Sequence, residues 1–227
     1  MKVFVKIVFI GFCSLQLLLG QDWANLKRFQ DENLKLKPPS KGESRVVLMG
    51  NSITEGWPKY YPEFFENSSF IPRGISGQTT PQMLLRFRQD VLDLEPDVVV
   101  ILAGTNDIAG NTGPMTLDEI HGHIVSMCEL ARANNIKVVL SSVLPAYEYP
   151  WKKGVQPAGQ IIELNELLKE FAQTSGITYL DYFTPMADSK NGFTEKYTYD
   201  GVHPNRAGYI KMSKLLKQAL KEAGKNS

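Results

Sequence analysis

The sequence has few cysteines and histidines. Its 227 residues include two cysteines and three histidines. One cysteine lies in an N-terminal segment that we expect to be removed, so the mature chain keeps only Cys128 and forms no intramolecular disulfide. Cys128 lies within an apolar helical pattern and is interpreted as a buried structural thiol. No group of Cys, His, Asp or Glu has the spacing of metal ligands, so we expect neither a metal nor another cofactor.

The sequence also lacks an excess of charge of either sign. The chain has 25 basic and 24 acidic residues, and removal of Lys2 and Lys6 leaves 23 basic residues and a net charge of −1. No block of like charge exists to hold nucleic acid or an anionic membrane, so neither is expected as a partner. The contents of 43% hydrophobic and 22% charged residues are typical of one globular domain.

The first twenty residues differ from the rest of the chain. They have a basic start and continue as an apolar run that ends at the small residue Gly20, before the polar Gln21. This pattern predicts a signal peptide at 1–20, cleaved near Gly20 or Gln21. The clean apolar stretch is roughly a dozen residues, short of the ~20 that span a bilayer. Phe12 before Cys13 is too large for the small position that lipidation needs. We therefore expect a secreted or periplasmic protein without stable membrane insertion.

The remaining chain alternates between apolar runs and amphipathic helical patterns. A short helix over Asp22–Phe29 and a linker at Lys37–Gly42 are predicted within 21–44, and one domain over 45–223. We predict strands at Arg45–Met49, Phe70–Arg73, Asp97–Ala103, Ile136–Val143 and Ile177–Phe183, and helices at Thr80–Leu94, Thr116–Ala133, Ala158–Ala172 and Asn205–Ala223. Continuously apolar strands separated by helices imply a parallel sheet inside a three-layer α/β/α sandwich.

Ligands of such sheets bind beyond the carboxyl ends of the strands, so the residues that follow the strands are the candidates. GNS follows the first strand and offers the Ser52 hydroxyl, although serine is also a common helix N-cap. GISG follows the second strand, where Gly77 allows close backbone approach, although a plain loop would read the same. GTND follows the third strand, where the Asn106 amide could serve an oxyanion or an Asx turn.

An Asp-x-x-His motif precedes the last predicted helix. Asp200 and His203 can meet within one turn, where the carboxylate would hold the imidazole ring and fix its tautomer. The other histidines, His121 and His123, lie two apart in a helix and so point to different faces, which makes them a poor ligand pair. We interpret both as surface or partly buried structural residues.

These four blocks, GNS, GISG, GTND and DGVHP, occur in order and together resemble those of the SGNH (GDSL-type) hydrolase family, which includes esterases of the platelet-activating-factor acetylhydrolase kind. The resemblance spans roughly 45–220. It implies a flavodoxin-like five-stranded sheet of order 2-1-3-4-5. It also implies that Ser52 is the nucleophile, His203 the general base and Asp200 its orienting acid. The backbone N–H groups of Ser52 and Gly77, with the Asn106 amide, would form the oxyanion hole.

One residue departs from the family pattern. The first block usually reads Gly-Asp-Ser, whereas this chain has Asn51. Asparagine keeps the shape and a hydrogen-bonding oxygen but loses the charge. Because that aspartate is not the triad acid, we expect activity to survive, with Asn51 bridging neighbouring loops.

The ester is less well defined by the sequence. Trp57, Tyr147 and Trp151 are predicted at the substrate rim, although each ring could instead cover the protein's own loops. An aromatic rim, short loops and export favour removal of small acyl groups, acetyl above all, from carbohydrates. Lysophospholipase, thioesterase or acetylhydrolase activity of the platelet-activating-factor type stays open, as does a binding module without catalysis. The sequence leaves the oligomeric state open.

Overall fold

The computed structural model describes residues 22–40, 42–66 and 68–225. The predicted signal peptide lies outside these ranges. Within them, no helix is both long and apolar enough to cross a membrane.

The core of the fold is a five-stranded parallel sheet. Its strands are β1 (Val46–Gly50), β2 (Phe70–Gly74), β3 (Val98–Ile101), β4 (Lys137–Ser141) and β5 (Thr178–Leu180). The strands lie in the order β2-β1-β3-β4-β5, and every neighbouring pair is parallel. The predicted fold class and strand order are confirmed. The order reverses beside β1, so β1 ends where such sheets open a crevice for ligands.

Seven α-helices of the described residues surround the sheet. They are α1 (Gln30–Lys35), α2 (Ser52–Tyr60), α3 (Thr80–Asp90), α4 (Thr105–Ile108), α5 (Leu117–Ala133), α6 (Ala158–Thr174) and α7 (Arg206–Lys225). Three short 3₁₀ helices span Pro62–Phe64, Leu92–Leu94 and Glu195–Tyr197. Thr116 and Glu119 form the predicted capping box at the start of α5.

Alternate residues of the strands point to opposite faces of the sheet and belong to two apolar cores. Val47 and Met49 pack into a core with α3, α5 and α6. Val46 and Leu48 point the other way, into a core with α2 and α7. Both faces of the sheet are therefore covered by helices, which accounts for the continuously apolar strands. Cys128 is buried in the first core, as predicted, and burial raises the pKa of its thiol to about 12.

The predicted helix over Asp22–Phe29 is wrong, because this segment forms turns and α1 begins only at Gln30. The carbonyl oxygens of Trp23 and Ala24 accept hydrogen bonds from glutamine side chains of the domain. Those long-range bonds satisfy carbonyls that would otherwise pair along a helix. The segment is thus a strap tied to the domain, and not an independent amphipathic helix.

Candidate active site

The predicted site residues converge at the carboxyl edge of the sheet. Ser52 is the first residue of α2, directly after β1. Gly77 lies in the loop between β2 and α3, and Asn106 lies in α4 after β3. Asp200 and His203 lie in the loop before α7. Residues separated by up to 151 positions therefore meet at one place.

An unbroken hydrogen-bond chain joins a serine, a histidine and an aspartate. Ser52 Oγ lies 3.0 Å from His203 Nε2. On the other side of the ring, His203 Nδ1 lies 2.7 Å from Asp200 Oδ2. This is the arrangement in which a neutral imidazole, protonated on Nδ1, can accept the serine proton on Nε2.

The environment of Asp200 favours its charged form. Partial burial raises the pKa of the carboxyl, but the backbone N–H and ring of His203 and the N–H of Val202 together lower it below its usual value. Asp200 Oδ1 accepts from the two backbone N–H groups at 2.7 and 3.0 Å. The carboxylate therefore stays ionised near neutral pH and orients the imidazole through Oδ2.

The loop that carries this pair is held by Thr198. Its hydroxyl donates to the carbonyl of His203 at 2.7 Å and accepts from the N–H of Gly201 at 3.0 Å. Gly201 has φ +86°, a conformation that glycine adopts without a steric penalty. The ring of Tyr199 stacks against the His203 imidazole at a centroid distance of 5.8 Å. The histidine is thus fixed from several sides.

Three N–H donors lie in the segments that follow β1, β2 and β3: the backbone N–H groups of Ser52 and Gly77 and the side-chain amide of Asn106. Among the described residues, no acceptor is bonded to the backbone N–H of Ser52 or of Gly77. Gly77 has φ +77° and open space where a Cβ would lie. The Asn106 amide donates one hydrogen to the carbonyl of Gln78 at 2.9 Å, which leaves its second hydrogen for a ligand. These donors fit an oxyanion hole.

A buried polar network supports these donors. The fully buried Arg86 donates from Nε to Gln78 Oε1 at 2.6 Å and from Nη2 to the carbonyls of Gly50 and Arg73, both at 2.9 Å. Its Nη1 lies 3.1 Å from Asp90 Oδ2. Gln78 is therefore held by Arg86 while its own carbonyl holds the Asn106 amide.

Glu55 fixes the neighbouring part of the loop. Its Oε2 accepts from the backbone N–H of Ser76 at 2.9 Å and also from the Ser76 hydroxyl. Ser76 directly precedes Gly77, and Glu55 lies one helical turn after Ser52. Ser52 and the loop that carries Gly77 are thus tied to the same turn of α2.

Two of the three residues predicted at the substrate rim are exposed, and the third is buried. Tyr147 and Trp151 are 51% and 44% exposed, and the Trp151 ring lies 5.9 Å from the His203 ring. Trp57 is only 2% exposed, so the prediction that it lines the rim is wrong. It lies one helical turn after Ile53 on the buried face of α2, and its indole N–H donates to the Ser213 hydroxyl at 3.3 Å.

Asn51 has a more local role than the predicted bridge between loops. Its Oδ1 accepts from the N–H of Ile53 at 3.1 Å, the only hydrogen bond of this side chain among the described residues. Asn51 is therefore the N-cap of α2, and it presents Ser52 at the start of that helix. An uncharged oxygen suffices for this role.

The remaining histidines form no hydrogen bond with Ser52 or Asp200 among the described residues. His123 Nδ1 lies 3.1 Å from the hydroxyl of Thr80, and the His121 ring packs edge-on against Phe171. Both are partly buried, as predicted. In the part of the chain that the structure describes, no group of three His, Cys, Asp or Glu side chains could hold a metal ion.

The sequence interpretation missed the supporting residues Arg86 and Glu55. A signal for Arg86 exists, because Met83 lies three residues before it and Asp90 four residues after it, on one buried helix face. An arginine there needs partners, and Asp90 has the spacing to supply one. Glu55 carries no comparable signal, because its partner Ser76 lies in a distant loop.

The chain matches the sequence profile of the GDSL-like lipase/acylhydrolase family over residues 48–210. It is 50% identical to a GDSL-like lipase of Bacteroides thetaiotaomicron, whose crystal structure superposes with a TM-score of 0.86 and covers 88% of this chain and 98% of that one. An acetylxylan esterase of Xylanibacter ruminicola is 25% identical over 219 residues, 81% of this chain and 44% of that protein. An uncharacterized lipoprotein of Bacillus subtilis is 32% identical over 125 residues, 48% of this chain and 51% of that protein.

The chain spans about half the length of these two curated relatives. The family profile, by contrast, covers most of the domain described above, including every block that carries a candidate residue. The resemblance predicted from those blocks is confirmed. The chain belongs to the GDSL-like lipase/acylhydrolase family, a family of carboxylic ester hydrolases.

Proposed function

We propose that the protein is a serine esterase that removes small acyl groups, acetyl above all, from carbohydrate esters. The observation that carries the proposal is the hydrogen-bond chain from Ser52 through His203 to Asp200. A nucleophile, a base, an orienting acid and an oxyanion hole are the parts that acyl transfer needs.

The first step forms an acyl-enzyme. Ser52 Oγ attacks the ester carbonyl carbon while His203 Nε2 takes its proton. The carbonyl oxygen gains negative charge, which the N–H groups of Ser52 and Gly77 and the Asn106 amide stabilise. As the tetrahedral intermediate collapses, the His203 imidazolium gives the proton to the leaving alcohol oxygen.

The second step regenerates the enzyme. His203 takes a proton from a water molecule, which attacks the acyl carbonyl in the same oxyanion hole. Collapse of the second intermediate breaks the bond to Ser52 Oγ, and the proton returns from His203 to the serine. The products are the free acid and the alcohol, and no other reactant is needed.

Several features support an acetylated carbohydrate as the ester. The exposed rings of Tyr147 and Trp151 lie at the rim, and aromatic faces suit the C–H faces of sugars. One relative is an acetylxylan esterase. The signal expected at 1–20 would place the enzyme outside the cytoplasm, where it would meet polysaccharides.

Replacement of the nucleophile tests the chemistry. Ser52→Ala should leave a folded protein and lower the turnover of p-nitrophenyl acetate at least about 10⁴-fold, because no other group can form the acyl-enzyme. A fluorophosphonate probe should label the native protein and not the variant. Ser126→Ala, in α5 and away from the site, is the matched control and should keep native activity. Native turnover by Ser52→Ala would refute the proposed mechanism, and a native protein without labelling or turnover would indicate a binding module.

A second measurement tests the acyl group. Acetate release from acetylated xylooligosaccharides should be compared with hydrolysis of p-nitrophenyl esters of increasing chain length. We expect acetyl esters to give the highest kcat/KM. Preference for butyrate or longer chains would refute the deacetylase while leaving the esterase, and would favour a lysophospholipase or thioesterase.

A further inference from the structure

A cavity of about 380 Å³ lies beside the triad on the side of Asp200. Two loops line it, one around Tyr147 and one around Gly192, together with Asp200 and Gly201. Other cavities, of about 220 and 490 Å³, lie at the amino ends of the strands, at the opposite edge of the sheet from Ser52. We propose that the cavity beside Asp200 binds a sugar ring of the alcohol part of the substrate, next to the ring that carries the acyl group. This inference rests on the proposed esterase.

The floor of the cavity is a tight loop held in one shape. Ala187 and Phe193 pair as an isolated antiparallel bridge, and the N–H of Asp188 donates to the carbonyl of Gly192 at 2.8 Å. Asp188 Oδ1 accepts from the backbone N–H groups of Lys190 and Gly192 at 2.8 and 2.9 Å. Because these hydrogen bonds already order the loop, little conformational entropy of the loop would be lost when a ligand binds.

One oxygen of the same carboxylate is available to a ligand. Both hydrogen bonds that Asp188 accepts end on Oδ1, and Oδ2 accepts none from the described residues. The residue is exposed at the cavity. A sugar hydroxyl that donates to Oδ2 would form a charge-assisted hydrogen bond.

The absence of a side chain at Gly192 keeps the space open. A Cβ there would lie 3.0 Å from Tyr147 Cβ and 3.3 Å from Asp188 Oδ2. The aromatic residue and the free carboxylate oxygen therefore border the same small space. A ring with an apolar C–H face and polar edges matches this pairing of an aromatic surface with an acceptor.

The lining favours the alcohol over the acyl group. Glu148, Lys153 and Asp188 put charges of both signs around the cavity. A hydrocarbon chain placed there would take these groups out of water without offering them hydrogen bonds, which is costly. Sugar hydroxyls would replace the lost water contacts.

The position agrees with the direction of proton transfer. The leaving alcohol takes its proton from His203 Nε2, so the alcohol lies on the histidine side of Ser52. Hydrogen bonds of 3.0 and 2.7 Å and one imidazole ring separate Ser52 Oγ from the Asp200 carboxylate, which lines the cavity. A sugar ring beyond the acylated one can span that separation.

Tyr147→Ala tests the subsite with two substrates. For acetylated xylotetraose we expect KM to rise about tenfold with little change in kcat, because the lost ring contacts the sugar equally in the ground and transition states. For p-nitrophenyl acetate, which has no second ring, the change in KM should be several-fold smaller than for the oligosaccharide. Tyr147→Phe keeps the aromatic face and should behave as the native enzyme. Gly192→Ala narrows the same space and should also raise KM more for xylotetraose esters than for p-nitrophenyl acetate.

The outcomes separate this inference from the esterase. The subsite would be overturned if Tyr147→Ala left KM for the oligosaccharide unchanged, or if it lowered kcat/KM equally on both substrates. Hydrolysis of p-nitrophenyl acetate that depends on Ser52 would still support the esterase in that case. Absence of that hydrolysis in the native protein would overturn the proposed function itself. A catalysis-free check is calorimetry of unacetylated xylotetraose with Ser52→Ala. Binding should be measurable and weaker by about tenfold in Ser52→Ala/Tyr147→Ala. Equal binding by both proteins would overturn the subsite.

Discussion

The two sides of Ser52, the proposed nucleophile, are built differently. On the oxyanion side, Gln78 and Asn106 are buried and rest on Arg86, whose hydrogen bonds reach four different residues. On the histidine side, the side chains of Asp200 and His203 are 27% and 19% exposed. Hydrogen-bond donors stabilise a developing negative charge more strongly when they are held rigidly and shielded from water. The side through which the alcohol enters and leaves must instead stay open to solvent.

The contrast predicts where stability and activity are coupled. Changes on the oxyanion side should affect folding and turnover together, because the donors and the buried network share residues. Changes at the exposed rim should affect turnover or affinity alone. Three substitutions test this contrast.

The largest loss of stability is expected at the buried ion pair. Arg86→Met leaves the Asp90 carboxylate buried without its cation, which should lower the free energy of unfolding by about 3–5 kcal/mol. Urea denaturation followed by tryptophan fluorescence measures it.

Arg88→Met is the matched control in the same helix. Arg88 is 69% exposed and lies 3.9 Å from Asp93, so its loss should change stability little. If the two variants had the same free energy of unfolding, the claim that the oxyanion side is the more rigid one would be wrong.

The oxyanion donor comes next. Asn106→Ala should lower kcat about 100-fold to 1,000-fold, which corresponds to about 3–4 kcal/mol, because the lost N–H acts on charge that appears only in the transition state. Steady-state kinetics with p-nitrophenyl acetate should show kcat and kcat/KM falling together. A raised KM with native kcat would instead assign Asn106 to ground-state binding. The variant should also lose stability, since the Gln78 carbonyl loses its partner.

The smallest effect is expected at the rim. The indole of Trp151 donates to Asn111 Oδ1 at 3.3 Å, and the Asn111 amide donates to the carbonyl of Gly77 at 3.2 Å. Trp151→Ala should therefore lower kcat about fivefold, the worth of one ordinary hydrogen bond of about 1 kcal/mol, with unchanged stability. Asn111→Ala should match it, and the double variant should fall no further. Additive losses would show that the two residues act separately.

The sequence alone predicts the fold and the convergence of Ser52, His203 and Asp200 at one edge of the sheet. Continuously apolar strands predicted a covered parallel sheet, and each candidate follows a strand or precedes α7, so topology alone brings Ser52 and His203 together. The prediction for Trp57 is wrong because its nearness in sequence to a strand end says less about its exposure than its place in the period of α2. Its spacing of four from Ile53 marks the inner face of α2.

Other features could not be predicted from local pattern. The N-terminal strap depends on side chains of Gln78 and Gln82 that bond to the carbonyls of Ala24 and Trp23. These contacts join residues more than fifty positions apart, so no local propensity encodes them. The cavity beside Asp200 likewise depends on how two loops of irregular structure approach each other.

The link from Trp151 through Asn111 to Gly77 has a consequence for changing the enzyme's specificity. Under the proposed function, Trp151 would contact the alcohol and would also be linked, through the Asn111 amide, to the proposed oxyanion donor Gly77, so replacing it for a new alcohol would also change the rate. A substitution at Trp151 selected for a new alcohol would therefore first lower kcat, and further substitutions would be needed to restore it. Tyr147, which borders a loop of its own beside Gly192, carries no such link and offers a more direct route to altered specificity.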